Sequence, residues 1–204
     1  PELLLAAEPA GQTFGLSRTE PIKGTRPRGA TPEDDRAARL ALDADPKERA
    51  ELAMIIDVER NDLARIAAQV TIERPAAVRA AGPVWHRSAL LSARVRPGTS
   101  RRDVLHAMLP SGSVTGAPKV RAMEVIAGAE PFRRGLPAAA FGYARAFGHL
   151  RLAMAIRTAT FDPEGTGEYL VGGGIVADSD PARELEETRW KAVQLLASAA
   201  EDPM

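Results

Sequence analysis

The chain has no cysteine, which removes disulfides, thiolate metal sites and a cysteine nucleophile from consideration. A reducing, cytoplasmic setting fits that lack. There is no net charge either: 27 basic residues balance 27 acidic ones, so no overall field draws the chain to nucleic acid or to an anionic membrane. Any anion binding must be local. No apolar run nears the ~20 residues that cross a bilayer, and no charged-then-apolar leader opens the sequence. Lysine is scarce, with only Lys23, Lys47, Lys119 and Lys191 among the 27 basic residues. A place that keeps lysine can need a compact amine able to give up its proton, because guanidinium stays charged and is a poor nucleophile.

What is present reads as a packed globular protein. Hydrophobic residues make up 45% and charged residues 26% of 204 positions, enough for one sizeable core, and residues 1–204 are expected to form one domain or a large piece of one. The opening Pro1-Glu2 and the apolar Leu3–Leu5, without a start methionine, read like the interior of a longer protein.

Helix starts are the clearest local signals. Thr31-Pro32 and Asp45-Pro46 each pair a capping side chain with proline at the first helical position. The second start opens a helix of about 20 residues, whose Leu52, Ile55, Ile56 and Leu63 mark a buried stripe. Residues 100–108 read as helix, residues 111–118 as a flexible loop feeding a helix with Pro118 in its first turn, and Asp180-Pro181 as the start of a last helix to about Ala200. Residues 77–94 suit strand or helix. Alternation from Arg151 to Phe161 predicts a strand, with Tyr169–Val176 as its antiparallel partner. Interleaved helices and antiparallel strands imply an α+β layered fold.

Two carboxylate pairs stand out. Glu48 and Glu51, and again Glu184 and Glu187, are three apart on predicted helices, which puts each pair on one face with Cβ atoms about 5–6 Å apart. A hard dication with oxygen ligands, Mg²⁺ in the first instance, would offset their repulsion. The same spacing also suits a capping box at Asp45 and a solvated helix face. Arg157, sharing a strand face with alanines at 153, 155 and 159, and the run Gly172-Gly173-Gly174, whose backbone N–H groups a carboxylate can approach, form a candidate carboxylate clamp. A surface arginine and a bulged strand are the plain alternative. Lys191 follows Glu187 by one helical turn, as in an ordinary i,i+4 ion pair. The Gly112–Lys119 segment lacks the spacing of a phosphate-binding loop.

These motifs are not independent. Pro21–Gly29 (PIKGTRPRG), Ile55–Leu63 (IIDVERNDL), Ser113–Met123 (SVTGAPKVRAM), Ile156–Thr158 (IRT) and Gly172–Pro181 (GGGIVADSDP), then Glu184–Thr188 (ELEET), occur in the order seen in chorismate-binding enzymes. The chain resembles that family over essentially its whole length. The family includes anthranilate, aminodeoxychorismate, isochorismate and salicylate synthases, and its fold is a layered sandwich of antiparallel sheets flanked by helices. The resemblance implies that residues 1–204 are the C-terminal portion of a single catalytic domain, with the N-terminal half absent.

The resemblance also implies roles. Chorismate would be the substrate, with Mg²⁺ beside it on Glu48, Glu51, Glu184 and Glu187. Its carboxylates would be met by Arg157, by Gly172, Gly173 and Gly174, and by Lys191, with Thr115 close by. Glu2 matches the family's general acid toward the departing C4 hydroxyl, work that needs a raised pKa. Lys23 stands where anthranilate and isochorismate synthases generally carry alanine and the aminodeoxychorismate branch carries a lysine that attacks chorismate C2. That lysine must attack as a neutral amine, so desolvation or neighbouring cations, Arg26 and Arg28 being candidates, are expected to favour loss of its proton. The implied reaction makes 4-amino-4-deoxychorismate from chorismate and ammonia, on the route to p-aminobenzoate and folate. Because no cysteine is present to hydrolyse glutamine, the ammonia would be free or, as the resemblance implies, delivered by a separate glutamine amidotransferase subunit. An anthranilate-type synthase with an atypical lysine, or a non-catalytic chorismate-binding domain, are the alternatives. The chain departs from the family at Pro137, where a tyrosine is usual, and at Leu52, where a histidine is usual.

Overall fold

The computed structural model of the chain describes residues 2–10, 13–136, 138–145, 149–177 and 179–200, so Pro137 lies outside the described residues. Two compact units divide the chain: Pro1–Glu130 with Ala140–Met154, and Pro131–Ala139 with Ala155–Met204.

A seven-stranded antiparallel sheet forms the first unit, built from β1 (Leu3–Ala10), β2 (Thr13–Glu20), β3 (Ile22–Pro27), β4 (Ala67–Ala81), β5 (Val84–Val95), β6 (Ala140–Ala144) and β7 (Leu150–Met154). Its order is β3-β5-β2-β1-β7-β6, with β4 along the other edge of β5. Pro21 lacks an N–H and interrupts one extended run, so β2 pairs with the second half of β5 (Leu16↔Arg94 to Thr19↔Leu91) and β3 with the first (Ile22↔Ser88 to Pro27↔Val84). Residues 77–94, ambiguous in the sequence, form the body of the β4–β5 hairpin. Its two-residue turn is Gly82-Pro83, with Gly82 at φ +57°, the place a type II′ turn gives to glycine.

Helices α1 (Pro32–Ala44) and α2 (Pro46–Ala64) begin at the expected caps. Thr31 accepts from Asp34 N, and Asp45 accepts from Lys47 N and Glu48 N. In α2 the buried positions are Glu51, Leu52, Ile55, Ile56, Glu59, Asp62 and Leu63, a stripe that is apolar with acids inside it. Leu52, Ile56 and Leu63 join Leu4, Leu5, Leu91, Val95, Val104, Met108, Leu150 and Met154 in the core. Helix α3 (Arg101–Met108) starts with a reciprocal capping box between Ser100 and Asp103. The segment expected as a flexible loop contains a one-turn helix, α4 (Gly112–Thr115), capped by the Ser111 side chain on Ser113 N, and Pro118 occupies the N-cap of α5 (Lys119–Ala129) rather than its first turn.

In the second unit the strand predicted from Arg151 to Phe161 is not continuous. β7 stops at Met154 in the first unit, and β8 (Ala159–Phe161) is a separate short strand paired with β9 (Gly167–Tyr169). Arg157 sits in the break at φ +50°, a left-handed conformation that an extended strand cannot hold, and Thr158 Oγ1 donates to Ile156 O at 3.1 Å. The alternation was real but its backbone turns. Tyr169–Val176 likewise pairs only as far as Tyr169. The glycines beyond it offer no side chain to pack in a ladder, and Gly172–Gly174 run outside any strand. Helix α6 (Pro181–Ala200) starts where expected, with Asp180 Oδ1 accepting from Arg183 N at 2.9 Å. Among the described residues no helix is long and apolar enough to cross a membrane.

Candidate active site

Within the first unit, the end of β1, the bulge in β3 and the short helix α4 converge. Glu2 is only 5% exposed. Its carboxyl accepts from Ile22 N at 3.1 Å and from Ser113 Oγ at 2.9 Å, and its backbone carbonyl accepts from Met154 N at 3.0 Å. Burial pushes the Glu2 carboxyl above the usual range, partly offset by those two hydrogen bonds and by the positive charge of Lys23. Lys23 Nζ donates to Ser113 O at 3.5 Å, so Ser113 touches both groups, one through its carbonyl and one through its hydroxyl.

Gly24 makes this convergence possible. The β3–β5 register shifts between Lys23 and Thr25, and Gly24 takes φ +79° at the bulge. A Cβ there would lie 2.7 Å from Leu42 Cδ1 and 3.1 Å from Glu48 Oε2, so the bare backbone lets α1 and α2 approach the strand beside Lys23. The α1 terminus is held in turn by Arg87, the cross-strand partner of Lys23, whose guanidinium donates to Leu42 O, Asp43 O and Asp43 Oδ1 at 3.2, 2.7 and 2.7 Å. The two arginines proposed to assist Lys23 are committed to acids instead. Arg26 bonds Asp45 at 3.1 Å and reaches Glu48 at 3.8 Å, while Arg28 pairs with Asp35 at 2.6 Å and stacks on Trp85.

Glu48 and Glu51 lie on α2 beside this point. Glu51 faces Lys47 Nζ at 3.8 Å, and like the Arg26–Glu48 separation this is too long for a hydrogen bond. Thr115 Oγ1 donates to Ser111 O at 2.8 Å, closing the turn of α4. In the second unit, Glu184 is buried and accepts from Ser179 Oγ at 2.7 Å, and a Cβ on Gly173 would come within 3.2 Å of Glu184 Oε2. Lys191 Nζ meets Glu187 at 2.7 Å and Gly172 O at 3.0 Å, so the i,i+4 pair forms and also ties the glycine run to α6. Gly172 and Gly173 do not use positive φ. Arg157 lies on no common strand face with the alanines, because the break intervenes.

The donor chemistry suits magnesium: each unit offers two carboxylates, hard oxygen ligands for an ion that keeps several of its waters. Among the described residues, no group of three or more His, Cys, Asp or Glu is gathered to hold a metal.

A second buried cluster lies behind Glu2. Glu59, 2% exposed on α2, is 2.6 Å from Thr19 Oγ1, and Asp62 pairs with Lys119 at the start of α5. Burial pushes Glu59 up to about 8, with the charges of Glu2 and Asp62 adding to the rise; for the ionised form, a hydrogen bond donated by Thr19 and the charge of Lys119 oppose it. Burial also raises Asp62, against its hydrogen bond from Lys119. The sequence carried a signal for these acids, since positions 59 and 62 continue the 52–55–56 stripe of α2 and a charged residue on a buried stripe needs a partner.

The model of the chorismate binding enzyme family matches residues 1–197. The chain belongs to that family. It is 42% identical over 200 residues to anthranilate synthase component 1 of Streptomyces coelicolor, covering 97% of this chain and 38% of the relative. It is also 42% identical over 184 residues to aminodeoxychorismate synthase of Streptomyces griseus, covering 89% of this chain and 25% of the relative. Among solved structures, anthranilate synthase component I from Streptococcus pneumoniae superposes with a TM-score of 0.79 at 36% identity, over 94% of this chain and 41% of that one. The chain thus spans less than half the length of these relatives.

Proposed function

We propose that these residues are the C-terminal portion of an aminodeoxychorismate synthase component I, which converts chorismate and ammonia to 4-amino-4-deoxychorismate, the ammonia coming from a glutamine amidotransferase partner. The observation that carries this reading is the meeting of Lys23 and Glu2 at Ser113. A lysine ammonium and a carboxylate hold the same number of protons as an amine and a carboxylic acid. One proton passed from Lys23 to Glu2 therefore prepares a nucleophile and a general acid together, with no exchange with solvent. The amine then bonds to chorismate C2, the diene electrons shift toward C4, and the C4 oxygen departs as water with the proton from Glu2. Ammonia adding at C4 reverses the shift and breaks the bond to Lys23.

Substrate carboxylates would lie against Arg157, the Gly172–Gly174 backbone and Lys191, with Thr115 nearby. Mg²⁺ would be held by Glu48, Glu51, Glu184 and Glu187. When bound it supplies positive charge that offsets the glutamates and an anionic substrate.

Identity does not separate this reading from the anthranilate-type alternative, since the chain is equally, 42%, identical to an anthranilate synthase. Products separate the two. The full-length protein is given chorismate, Mg²⁺ and ammonia; 4-amino-4-deoxychorismate supports the first reading, and anthranilate with pyruvate selects the second. Lys23→Ala should suppress amination at C4, and full activity in that variant would remove the nucleophile.

A further inference from the structure

Thr19 Oγ1 stands 2.6 Å from Glu59 Oε2 and 3.3 Å from the Leu3 carbonyl. Leu3 O can only accept, and a hydroxyl has a single proton to give. If Thr19 spends that proton on Leu3 O, the contact with Glu59 is a hydrogen bond only when Glu59 is a carboxylic acid donating to Thr19 Oγ1. One arrangement of protons satisfies both contacts: Glu59 O–H to Thr19 Oγ1, and Thr19 O–H to Leu3 O. Its surroundings favour the neutral form. Glu59 is fully enclosed, Glu2 and Asp62 are acids near it, and Lys119, the cation that faces it, is paired with Asp62.

The β1–β2 register shifts between Leu3 and Ala6, so the ladder is irregular just where Leu3 leads back to Glu2. Thr19 supplies a bond to Leu3 O at that irregularity, and Met154 N supplies one to Glu2 O. These two fix the backbone from which the Glu2 side chain reaches Ile22 N and Ser113 Oγ.

We propose that Glu59 is a positioning residue for Glu2: a neutral buried carboxyl that turns the Thr19 hydroxyl onto the Leu3 carbonyl and so sets where the Glu2 acid lies beside Lys23. This rests on the reading of Glu2 as the general acid.

The test uses the full-length protein and variants shown by circular dichroism to be folded at the assay temperature. Glu59→Gln retains an N–H donor for Thr19 and should lower kcat by no more than about threefold. Glu59→Met and Thr19→Val remove the relay from either end and should lower kcat roughly ten- to a hundredfold, with KM for chorismate little changed. The double variant should fall no further than the worse single one, because both break one connection. Full kcat in folded Glu59→Met, or additive losses in the double variant, would overturn the proposal. A readout independent of turnover separates it from the functional reading: ¹³C-NMR titration of Glu2. In Glu59→Met the hydrogen bonds from Ile22 and Ser113 loosen, and the Glu2 midpoint should rise further. If the wild-type protein makes no aminated product, the functional reading fails, and an unmoved Glu2 midpoint in Glu59→Met would then refute the positioning role separately.

Discussion

Replacing Glu59 by glutamine should make the protein more stable at neutral pH than it is with its native residue, and increasingly so as pH rises. Burial raises the Glu59 carboxyl to about 8 in the folded state, against roughly 4.3 for an unfolded glutamate. The folded chain therefore holds this proton more tightly than the unfolded one. The stability contributed is fully present below the unfolded value, is lost progressively between about pH 4.3 and 8, and changes no further above that. At about 1.4 kcal/mol for each unit of difference, the full swing is on the order of 5 kcal/mol, shared with the neighbouring Glu2 and Asp62. Glutamine presents the same shape and a donor to Thr19 but has no proton to lose. Melting temperatures of the two proteins across that window should diverge by about 10 °C, since 1 kcal/mol moves a chain of this size by roughly 2–4 °C. Contributions from every other titrating group largely cancel in the difference. Parallel melting curves for wild type and Glu59→Gln from pH 5 to pH 8 would refute the assignment of a retained proton to Glu59.

Gly24→Ala should cost about 1–3 kcal/mol in denaturant unfolding, because φ +79° is strained for alanine and the new methyl meets Leu42 Cδ1 at 2.7 Å; a wild-type midpoint would show that the bulge relaxes freely. Lys119→Met should cost about 3–5 kcal/mol by leaving buried Asp62 without its cation, whereas Asp62→Leu with Lys119→Met should recover most of that loss, which chemical denaturation of both proteins checks. Glu2→Gln removes a like charge near Glu59, so the Glu59 midpoint in a ¹³C-NMR titration should fall below about 8, and no movement would mean that the two acids do not sense each other.

The helical parts of the fold were the most legible because their signals are local. Thr31, Asp45, Ser100 and Asp180 each bond backbone N–H groups within a few residues, and proline follows three of them. Strands depend on distant partners. The β4 run is rich in alanine and contains Pro75, neither of which favours a strand, and it is extended only because β5 lies along it with register shifts on both sides of Arg74. The opposite failure occurred at Arg157, where good alternation met a left-handed residue that periodicity cannot register. Site residues divided in the same way. Lys23 and Glu2 are candidates that motifs single out, but the contacts that Ser113 makes with both and the pair Thr19–Glu59 were not legible, because each contact spans tens of residues of sequence. Glu59 alone left a trace, as an acid on an apolar stripe.

Charge balance explains why such a cluster can be buried at all. Around the end of β1 three acids, Glu2, Glu59 and Asp62, face two ammonium groups, those of Lys23 and Lys119, while the Arg65 guanidinium acts on Asp62 from the exposed side. If all ionise, the enclosed cluster carries one uncompensated negative charge, the arrangement that burial penalises most heavily. A single retained proton removes it. Asp62 cannot easily be the holder because Lys119 bonds its carboxylate directly. Glu2 accepts from Ile22 N and Ser113 Oγ and lies close to Lys23, so its anion is partly solvated by the protein. Glu59 has Thr19 as its hydrogen-bond partner, and Lys119, the cation that acts on it, is paired with Asp62, so the proton settles there. With Glu59 neutral, the positive charge of Lys23 is left to offset that of Glu2. The same residue that completes the charge balance of the core thus sets the electrostatic surroundings of Glu2, which the proposed function makes its general acid.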